Sequence, residues 1–207
     1  MIEGEFKMSK KLAENGNDFC PQSLFLYGTK NEDGTPHFGL FCWFSYISTL
    51  TENGEGLGVM ACIGEEKLTK DLIRKNGVFS ANLVTEELLP LADYYGNISG
   101  RENPDKMRHM PTVEQGLKLD VPTIAESPIS MELRVQKEIH LTEGSDVFLC
   151  EIVAVSMKEE LMNKQIPFID RYLSVMPVLA GGELRYVTAD GRDMGHWGEP
   201  MQELAEK

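Results

Sequence analysis

Cysteine and histidine are scarce, and their spacing excludes the common local metal motifs. The 207 residues include four of each type. No two cysteines form a C-x-x-C pair, and the histidines show neither H-x-H nor H-E-x-x-H spacing. A preformed zinc site is therefore not expected, although ligands from distant segments can also assemble one. Because no signal peptide is recognisable either, we expect free thiols rather than disulfides.

Positive charge is also in short supply. The chain has 20 lysines and arginines against 33 aspartates and glutamates, which gives a net charge of -13. A nucleic-acid surface or an anionic membrane requires clustered cations, so both partners are disfavoured. No apolar run reaches the roughly 18–20 residues of a transmembrane helix, and the first residues lack the apolar core of a signal peptide. A cytoplasmic location is the default expectation.

The hydrophobic pattern favours strands joined by hairpins. Segments 23–30 and 37–47 flank a strong Asp-Gly turn, and segments 129–139 and 146–157 form a second alternating pair. Strands separated by long helices, which would indicate a parallel sheet, are missing. We therefore predict a mainly β protein, a single Greek-key-like antiparallel barrel with peripheral helices.

A chain of this length can bury one substantial core. We predict one domain over residues 1–207, with its core at about 20–160. The extension 161–207 is expected to pack on the barrel or on a partner subunit. Residues 1–22 are polar and are expected to form an arm or a short helix.

Several local boundaries follow from turn and cap residues. Residues 48–56 are predicted to form a loop, and 57–63 an apolar strand. Thr85 is predicted to be the N-cap of a helix that carries Pro90 in its first turn and ends near Gly96.

The stretch from residue 64 to 84 combines a short amphipathic helix with a strand. At about 100° per residue its apolar and basic residues separate onto two faces, and Gly77 stands where a C-cap glycine belongs. Cations beside the free N–H groups of a helix start can hold a phosphate, but a solvated helix face has the same appearance. The basic residues are Lys67, Lys70 and Arg74.

Three further residues allow both a structural and a functional interpretation. Trp43, between two phenylalanines, is either a core residue or a wall for a planar ligand. Asn82 lies in an apolar strand, so its amide needs a partner, which a backbone group or a ligand could supply. Arg101 either holds an anion or fixes a long loop.

The chain resembles the flavin reductase-like proteins with an FMN-binding split β-barrel, in particular the flavoredoxin type. The resemblance covers roughly residues 20–157, and the order and spacing of several stretches make it specific. They are Asp33-Gly34, Cys42-Trp43-Phe44, Lys67-x-Thr69, Asn76-Gly77-x-Phe79, Asn82-Leu83, Ser99-Gly100-Arg101, Asp105-Lys106, Glu126-Ser127-Pro128 and Glu151-Ile152-Val153-Ala154-Val155.

This resemblance implies non-covalent FMN binding in a homodimer, with the flavin close to the subunit interface. It places Lys67 and Thr69 near the phosphate and Asn82 near the flavin. It also implies that the remaining site residues line or adjoin the flavin. They are Phe41, Cys42, Trp43, Phe44, Ser45, Ser99 and Arg101.

Three functions agree with these expectations. The first is a flavin reductase that uses NADH or NADPH, and the second is a flavoredoxin-like electron carrier reduced by another protein. The third is a non-catalytic barrel that stores or senses a flavin. Cys42 could serve as a redox-active thiol, although free cysteines are usually inert core residues. His37 departs from the family, whose members commonly carry asparagine there.

Overall fold

The computed structural model describes residues 10–16, 18–64 and 67–204. Within this part of the chain, thirteen strands and four α-helices occur. The strands are β1 (Gln22–Ser23), β2 (Phe25–Lys30), β3 (Pro36–Phe41), β4 (Phe44–Thr51), β5 (Gly54–Gly64), β6 (Val78–Leu83), β7 (Val113–Gln115), β8 (Pro122–Ile124), β9 (Ile129–Thr142), β10 (Ser145–Met157), β11 (Val178–Ala180), β12 (Arg185–Thr188) and β13 (Asp193–His196). The helices are α1 (Leu68–Asn76), α2 (Leu89–Asn97), α3 (Glu159–Met162) and α4 (Phe168–Val175), with 3₁₀ helices at Pro104–Arg108 and Pro200–Leu204.

Seven strands form one antiparallel sheet in the order β3-β2-β6-β9-β10-β5-β4. Its two edge strands, β3 and β4, are consecutive in the chain and are separated only by Cys42 and Trp43. This short connection joins the two ends of the sheet, and the main-chain N–H of Cys62 donates a 2.9 Å hydrogen bond to the carbonyl of Trp43 there. The prediction of a mainly antiparallel barrel is confirmed.

The sheet buries apolar residues on both faces. Phe25 and Tyr27 of β2 belong to the core inside the barrel, whereas Leu24 and Leu26 belong to a second core beneath α2. Alternate residues of a strand point to opposite faces, so burial of both faces explains the unbroken apolar run at the start of β2.

The segment from β11 to residue 204 packs against this second core. β11, β12 and β13 form a four-stranded sheet with β1, and Val178 and Tyr186 are buried under α2. Residues 10–16 and 18–21 contain no helix, while residues 1–9 and 17 lie outside the described residues. No helix in the described part of the chain is long and apolar enough to cross a membrane.

Three predicted boundaries are wrong. The segment 37–47 is not one strand, because the chain leaves β3 at Phe41 and enters the opposite edge of the sheet at Phe44. The segment 48–56 is not a loop but the end of a long hairpin, β4–β5, whose polar residues alternate as on a solvated sheet face. Thr85 does not cap α2, because it forms a β-bridge with Pro177 and the N-cap position is Leu88.

Other local predictions are confirmed. The hairpin formed by β9 and β10 occupies the second alternating pair. Gly77 ends α1 with φ at 70°, a left-handed conformation that glycine adopts without steric cost. Pro90 lies in the first turn of α2.

Candidate functional site

A cavity of about 220 Å³ opens at the Cys42–Trp43 connection. Trp43 is 53 % exposed, so the interpretation of this residue as core is wrong. Barrel residues line one side, Lys67 lies at the start of α1, and the C-terminal segment supplies another wall. The lining residues are Leu24, Leu40, Phe41, Cys42, Trp43, Cys62, Gly64, Lys67, Gly96, Asn97, Tyr186 and Trp197.

The start of α1 leaves main-chain donors available beside this cavity. Lys67 is the N-cap residue, and its side chain makes no capping hydrogen bond. The first N–H groups of a helix have no intrahelical partner and carry a partial positive charge. Leu72 and Ile73 anchor the helix because they are buried against the barrel. The helix start is therefore fixed in place and is suited to an anion.

Lys70 does not contribute to this positive end. Of the two interpretations of the basic helix face, phosphate-facing and solvated, neither applies to Lys70. Its side chain is 3 % exposed, and its ammonium forms a 2.8 Å ion pair with Asp146, which also accepts a hydrogen bond from His140 Nδ1 at 2.8 Å. Lys70 thereby joins α1 to β10 and has a structural role.

A second lysine approaches Lys67 from another part of the chain. Lys106, in the 3₁₀ helix Pro104–Arg108, is only 6 % exposed, and its ammonium lies 5.8 Å from the centre of the Tyr95 ring. Burial, together with the positive charge of Lys67, lowers the pKa of Lys106 to about 8. Within the described residues neither ammonium group forms an ion pair. Two unneutralised cations therefore converge near the start of α1.

His37 and Thr69 form the layer beneath these cations. His37 Nε2 and Thr69 Oγ1 are 3.0 Å apart, and both side chains are buried. Burial, with a smaller effect of Lys106, lowers the pKa of His37 to about 4, so the imidazole is neutral at pH 7. A Cβ on Gly100 would lie 3.0 Å from His37 Cε1, which shows how closely the backbone at Gly100 covers this pair of side chains. The Thr69 hydroxyl is thus engaged inside the protein.

Asn82 lies inside the sheet and not on the cavity. Its Nδ2 donates to the Leu26 carbonyl and to Ser80 Oγ, each at 2.9 Å. Its Oδ1 accepts from the Ile124 N–H at 3.1 Å and from Ser130 Oγ at 2.7 Å. All hydrogen-bonding positions of the amide are used by protein groups, so the structure favours the structural interpretation of this residue.

The Ser99–Arg101 turn borders the same end of the molecule without lining the cavity. Arg101 forms an ion pair with Asp71 of α1, and the Ser99 carbonyl accepts from the Asn103 N–H at 3.0 Å. These contacts fix the loop against the helix, which is one of the two roles considered for Arg101.

The stretch 41–45 divides between two cavities. Phe41, Cys42 and Trp43 line the smaller one, whereas Phe44 lines a larger cavity of about 480 Å³ between the barrel and α4. Ser45 is exposed. These residues divide between the two cavities because the chain crosses from one edge of the sheet, β3, to the other, β4, at Cys42 and Trp43.

Cys42, the candidate redox-active thiol, shows no sign of activation. All four cysteines are free thiols, and burial raises the pKa of Cys42. A thiol with a raised pKa is protonated at pH 7 and is a poor nucleophile. No group of three or more His, Cys, Asp or Glu side chains among the described residues is arranged to hold a metal ion.

A buried carboxylate holds the C-terminal wall of the smaller cavity. Asp93 of α2 is fully buried and accepts from the Tyr186 hydroxyl at 2.8 Å, from the Gly198 N–H at 2.9 Å and from the Met201 N–H at 3.0 Å. Trp197 stacks on Tyr186 with 6.2 Å between ring centres. Asp93 therefore fixes the position of both aromatic side chains.

Sequence reasoning missed Lys106, Tyr186 and Trp197 as site residues. A signal existed for Trp197, since it is one of only two tryptophans. For Lys106 the sequence contains no such signal beyond its place in the Asp105-Lys106 pair, because only the fold brings this residue close to Lys67.

Comparison with known proteins identifies the family. The profile of the flavin reductase like domain matches residues 18–175. An uncharacterized protein of Aeropyrum pernix is 35% identical over 94 residues, which are 45% of this chain and 35% of that protein. An uncharacterized protein of Archaeoglobus fulgidus is 31% identical over 111 residues, which are 54% of this chain and 61% of that protein. The matched regions thus span about a third of the Aeropyrum pernix protein and about three fifths of the Archaeoglobus fulgidus protein.

Solved structures agree on the fold. The flavoredoxin from Methanosarcina acetivorans superposes with a TM-score of 0.72 at 23% identity, covering 95% of this chain and 100% of that chain. The flavoredoxin of Desulfovibrio vulgaris (Miyazaki F) gives 0.70 at 24% identity, covering 87% and 93%. An FMN-binding protein from Thermus thermophilus gives 0.66 at 20% identity, covering 87% and 93%. The profile match covers well over half of the sequence, and the chain therefore belongs to the flavin reductase like domain family.

Proposed function

We propose that this protein binds FMN non-covalently and transfers electrons through it. The observation that carries the proposal is the pair of lysines, Lys67 and Lys106, which converge near a helix start and an aromatic cavity and form no ion pair with any residue that the structure describes. Structural relatives named as flavoredoxins and as an FMN-binding protein support the choice of ligand.

The residues present fit the phosphate end of such a ligand. A buried ammonium that is desolvated and repelled by a second cation is unfavourable by itself, and a phosphate dianion offsets both effects. Lys67, Lys106 and the first N–H groups of α1 would hold the phosphate. His37, neutral at pH 7, and Thr69 would support them from below.

The residues at the Cys42–Trp43 connection fit a planar ring. Phe41, Cys42 and Trp43 would lie along it, with the C-terminal segment on the other side. When bound, the flavin supplies the hydride and electron chemistry, so the protein needs no acid–base triad. The protein's contribution is to bind and orient the ring and to exclude water from part of it.

The electron donor is proposed to be NADH, NADPH or a redox protein. A structural relative is the styrene monooxygenase flavin reductase from Pseudomonas putida S12, whereas others are flavoredoxins. Anaerobic mixing with each nicotinamide separates these donors, because fast bleaching of the flavin absorption requires direct nicotinamide reduction.

We also propose a homodimer. α4 has no buried residue, and its apolar side chains include Phe168 at 71 % and Ile169 at 55 % exposure. With Tyr172 and Leu173 they make an exposed apolar patch beside the larger cavity. A contiguous apolar patch on a helix is typical of a subunit interface.

The test of the proposed function is retention of the ligand. Purified protein is incubated with FMN and dialysed, and bound flavin is measured by its visible absorption. We expect stoichiometric retention of FMN and weaker retention of riboflavin. Equal retention of the two would remove the phosphate site from the proposal, and retention of neither would overturn it.

A further inference from the structure

The larger cavity, of about 480 Å³, shares no lining residue with the smaller cavity that is assigned to the flavin. Phe25 lines the larger cavity and its neighbour Leu24 lines the smaller one, because successive residues of an extended chain point to opposite sides. The volume lies within the range of small-molecule sites, roughly 300–1,000 Å³. The cavity is therefore large enough for a second ligand that does not touch the flavin site.

The helix α4 presents one face to this larger cavity, and that face carries a charge. Phe168, Arg171, Tyr172 and Val175 line the cavity, and their spacing of three and four residues places them on one side of the helix. Asp170 falls on the opposite side. A helix face over an apolar surface normally excludes charged groups, because they lose hydration there. The position of Arg171 therefore requires an explanation.

Main-chain contacts explain where Arg171 lies but not why it is charged. Its Nε donates to the Ile166 carbonyl at 3.1 Å, and its Nη1 donates to the Leu161 carbonyl at 2.6 Å. These hydrogen bonds fix the guanidinium at the cavity wall, yet neutral carbonyl groups do not compensate its charge. Among the residues that the structure describes, Arg171 forms no ion pair and its Nη2 has no hydrogen-bond acceptor. The group thus keeps donors and a full charge for an anion.

A second polar group lines the larger cavity from β4. Within the described part of the chain, the hydroxyl of Tyr46 has one hydrogen-bond partner, the sulfur of Met131 at 3.9 Å. A thioether is a weak acceptor, so this hydroxyl is available to donate to a better one. The cavity therefore offers a fixed cation and an available donor within largely apolar walls.

We propose that the larger cavity binds an apolar monocarboxylic acid, whose carboxylate pairs with Arg171 and whose hydrocarbon part lies along the apolar walls. The apolar patch of a second copy would bury this guanidinium without a carboxylate, which is unfavourable, so the occupant is a small molecule and not the partner subunit. An amine of the same shape is rejected by like charge. This inference goes beyond the proposed function and does not depend on bound flavin.

The test compares decanoate with decylammonium, which have unbranched chains of nearly equal length and opposite charges. Their dissociation constants for FMN-treated protein are measured by isothermal titration, below the concentrations at which they form micelles. A protein with a net charge of -13 attracts cations in general, so tighter binding of the anion requires a local positive charge. We expect decanoate to bind at least about 10-fold more tightly than decylammonium.

Substitutions assign this preference to the cavity. Arg171→Gln should lower the affinity for decanoate at least about 10-fold and remove the preference for the anion. Arg192→Gln is the matched control, because Arg192 is exposed, pairs with Glu86 and does not line the cavity. Tyr46→Phe removes no strong internal contact and should lower the affinity for decanoate about fivefold, which keeps the test decisive if Arg171→Gln does not fold. Thermal unfolding of each variant verifies that it is folded.

Flavin retention and sedimentation are measured in the same samples, so the acid site and the flavin site can fail separately. Equal or tighter binding of decylammonium, or unchanged decanoate affinity in the folded cavity variants, overturns the proposal. Displacement of FMN by decanoate would place the acid at the flavin site, and dissociation of a dimer by decanoate would show that a partner subunit fills the cavity; either result also overturns it. Arg171-dependent binding of decanoate to protein that retains no FMN supports the acid site and overturns the proposed flavin function.

Discussion

The hydroxyl of Tyr186 donates a 2.8 Å hydrogen bond to the carboxylate of Asp93, which lies in a different core element 93 residues earlier. This contact joins the C-terminal segment to α2 in a fully buried environment. A hydrogen bond to a buried charge contributes more than one between neutral groups.

Tyr186→Phe should therefore lower the free energy of unfolding by about 1.5–3 kcal/mol. Urea denaturation measures the change. Tyr172→Phe is the matched control, because the hydroxyl of Tyr172 makes no hydrogen bond among the described residues and its side chain is 36 % exposed. Equal effects of the two substitutions would contradict a specific role of the bond to Asp93.

Removal of either converging lysine should weaken FMN far more than riboflavin. Lys67→Ala and Lys106→Met are each expected to cost about 1.5–3 kcal/mol of FMN binding, since each removes a charge-assisted phosphate contact. Isothermal titration with both flavins measures the difference. Lys75→Ala is the control, because Lys75 lies in the last turn of the same helix and pairs with Glu32. A similar loss of FMN affinity in Lys75→Ala would point to long-range charge instead of contact.

FMN affinity should fall as the pH rises from 7 to 9. The pKa of Lys106 is about 8 in the free protein, and a bound phosphate raises it by favouring the charged form. Binding above pH 8 must therefore take up a proton, and the affinity is expected to drop by about tenfold at pH 9. His37, with a pKa of about 4, does not titrate in this range. The pH dependence of FMN affinity should disappear in Lys106→Met. If it persists in this variant, a group other than Lys106 is responsible.

Acid should destabilise the protein through His37. Its folded-state pKa of about 4 lies below the usual 6.5, so the unfolded chain binds the proton first. The stabilisation is complete above pH 6.5 and is lost as the pH falls towards 4. At pH 4.5 the loss amounts to about 2.5 kcal/mol. Denaturant titrations at pH 7.5 and 4.5 measure it, and His37→Asn should show a correspondingly smaller loss than the unsubstituted protein.

A charge on α4 should separate the proposed dimer. Phe168→Asp places a carboxylate in the exposed apolar patch, and we expect sedimentation to show monomers. Leu117→Asp is a matched control, since Leu117 is also 71 % exposed but lies in the loop before β8. Dissociation by both substitutions, or by neither, would contradict an interface at α4.

The sequence predicted the barrel because hairpin signals are local: the Asp33-Gly34 turn and the alternation of β9 and β10 depend on neighbouring residues. It could not predict that the chain changes sheet edges at Cys42–Trp43, because a two-residue break in an aromatic strand leaves no periodicity signal. Lys70 resembled a solvated lysine because its partner, Asp146, is distant in sequence. The convergence of Lys106 on Lys67 and of Trp197 on Trp43 is likewise set by tertiary packing.

The position of the cavity at the seam between β3 and β4 has a consequence for folding kinetics. The sheet is closed by pairings of distant segments, such as β5 with β10 and β6 with β9, which form slowly because long loops must be ordered first. The Cys42–Trp43 connection between β3 and β4 reaches its final position only when all seven strands have paired. We therefore expect a refolding time course followed by capture of the proposed flavin to lag behind one followed by circular dichroism.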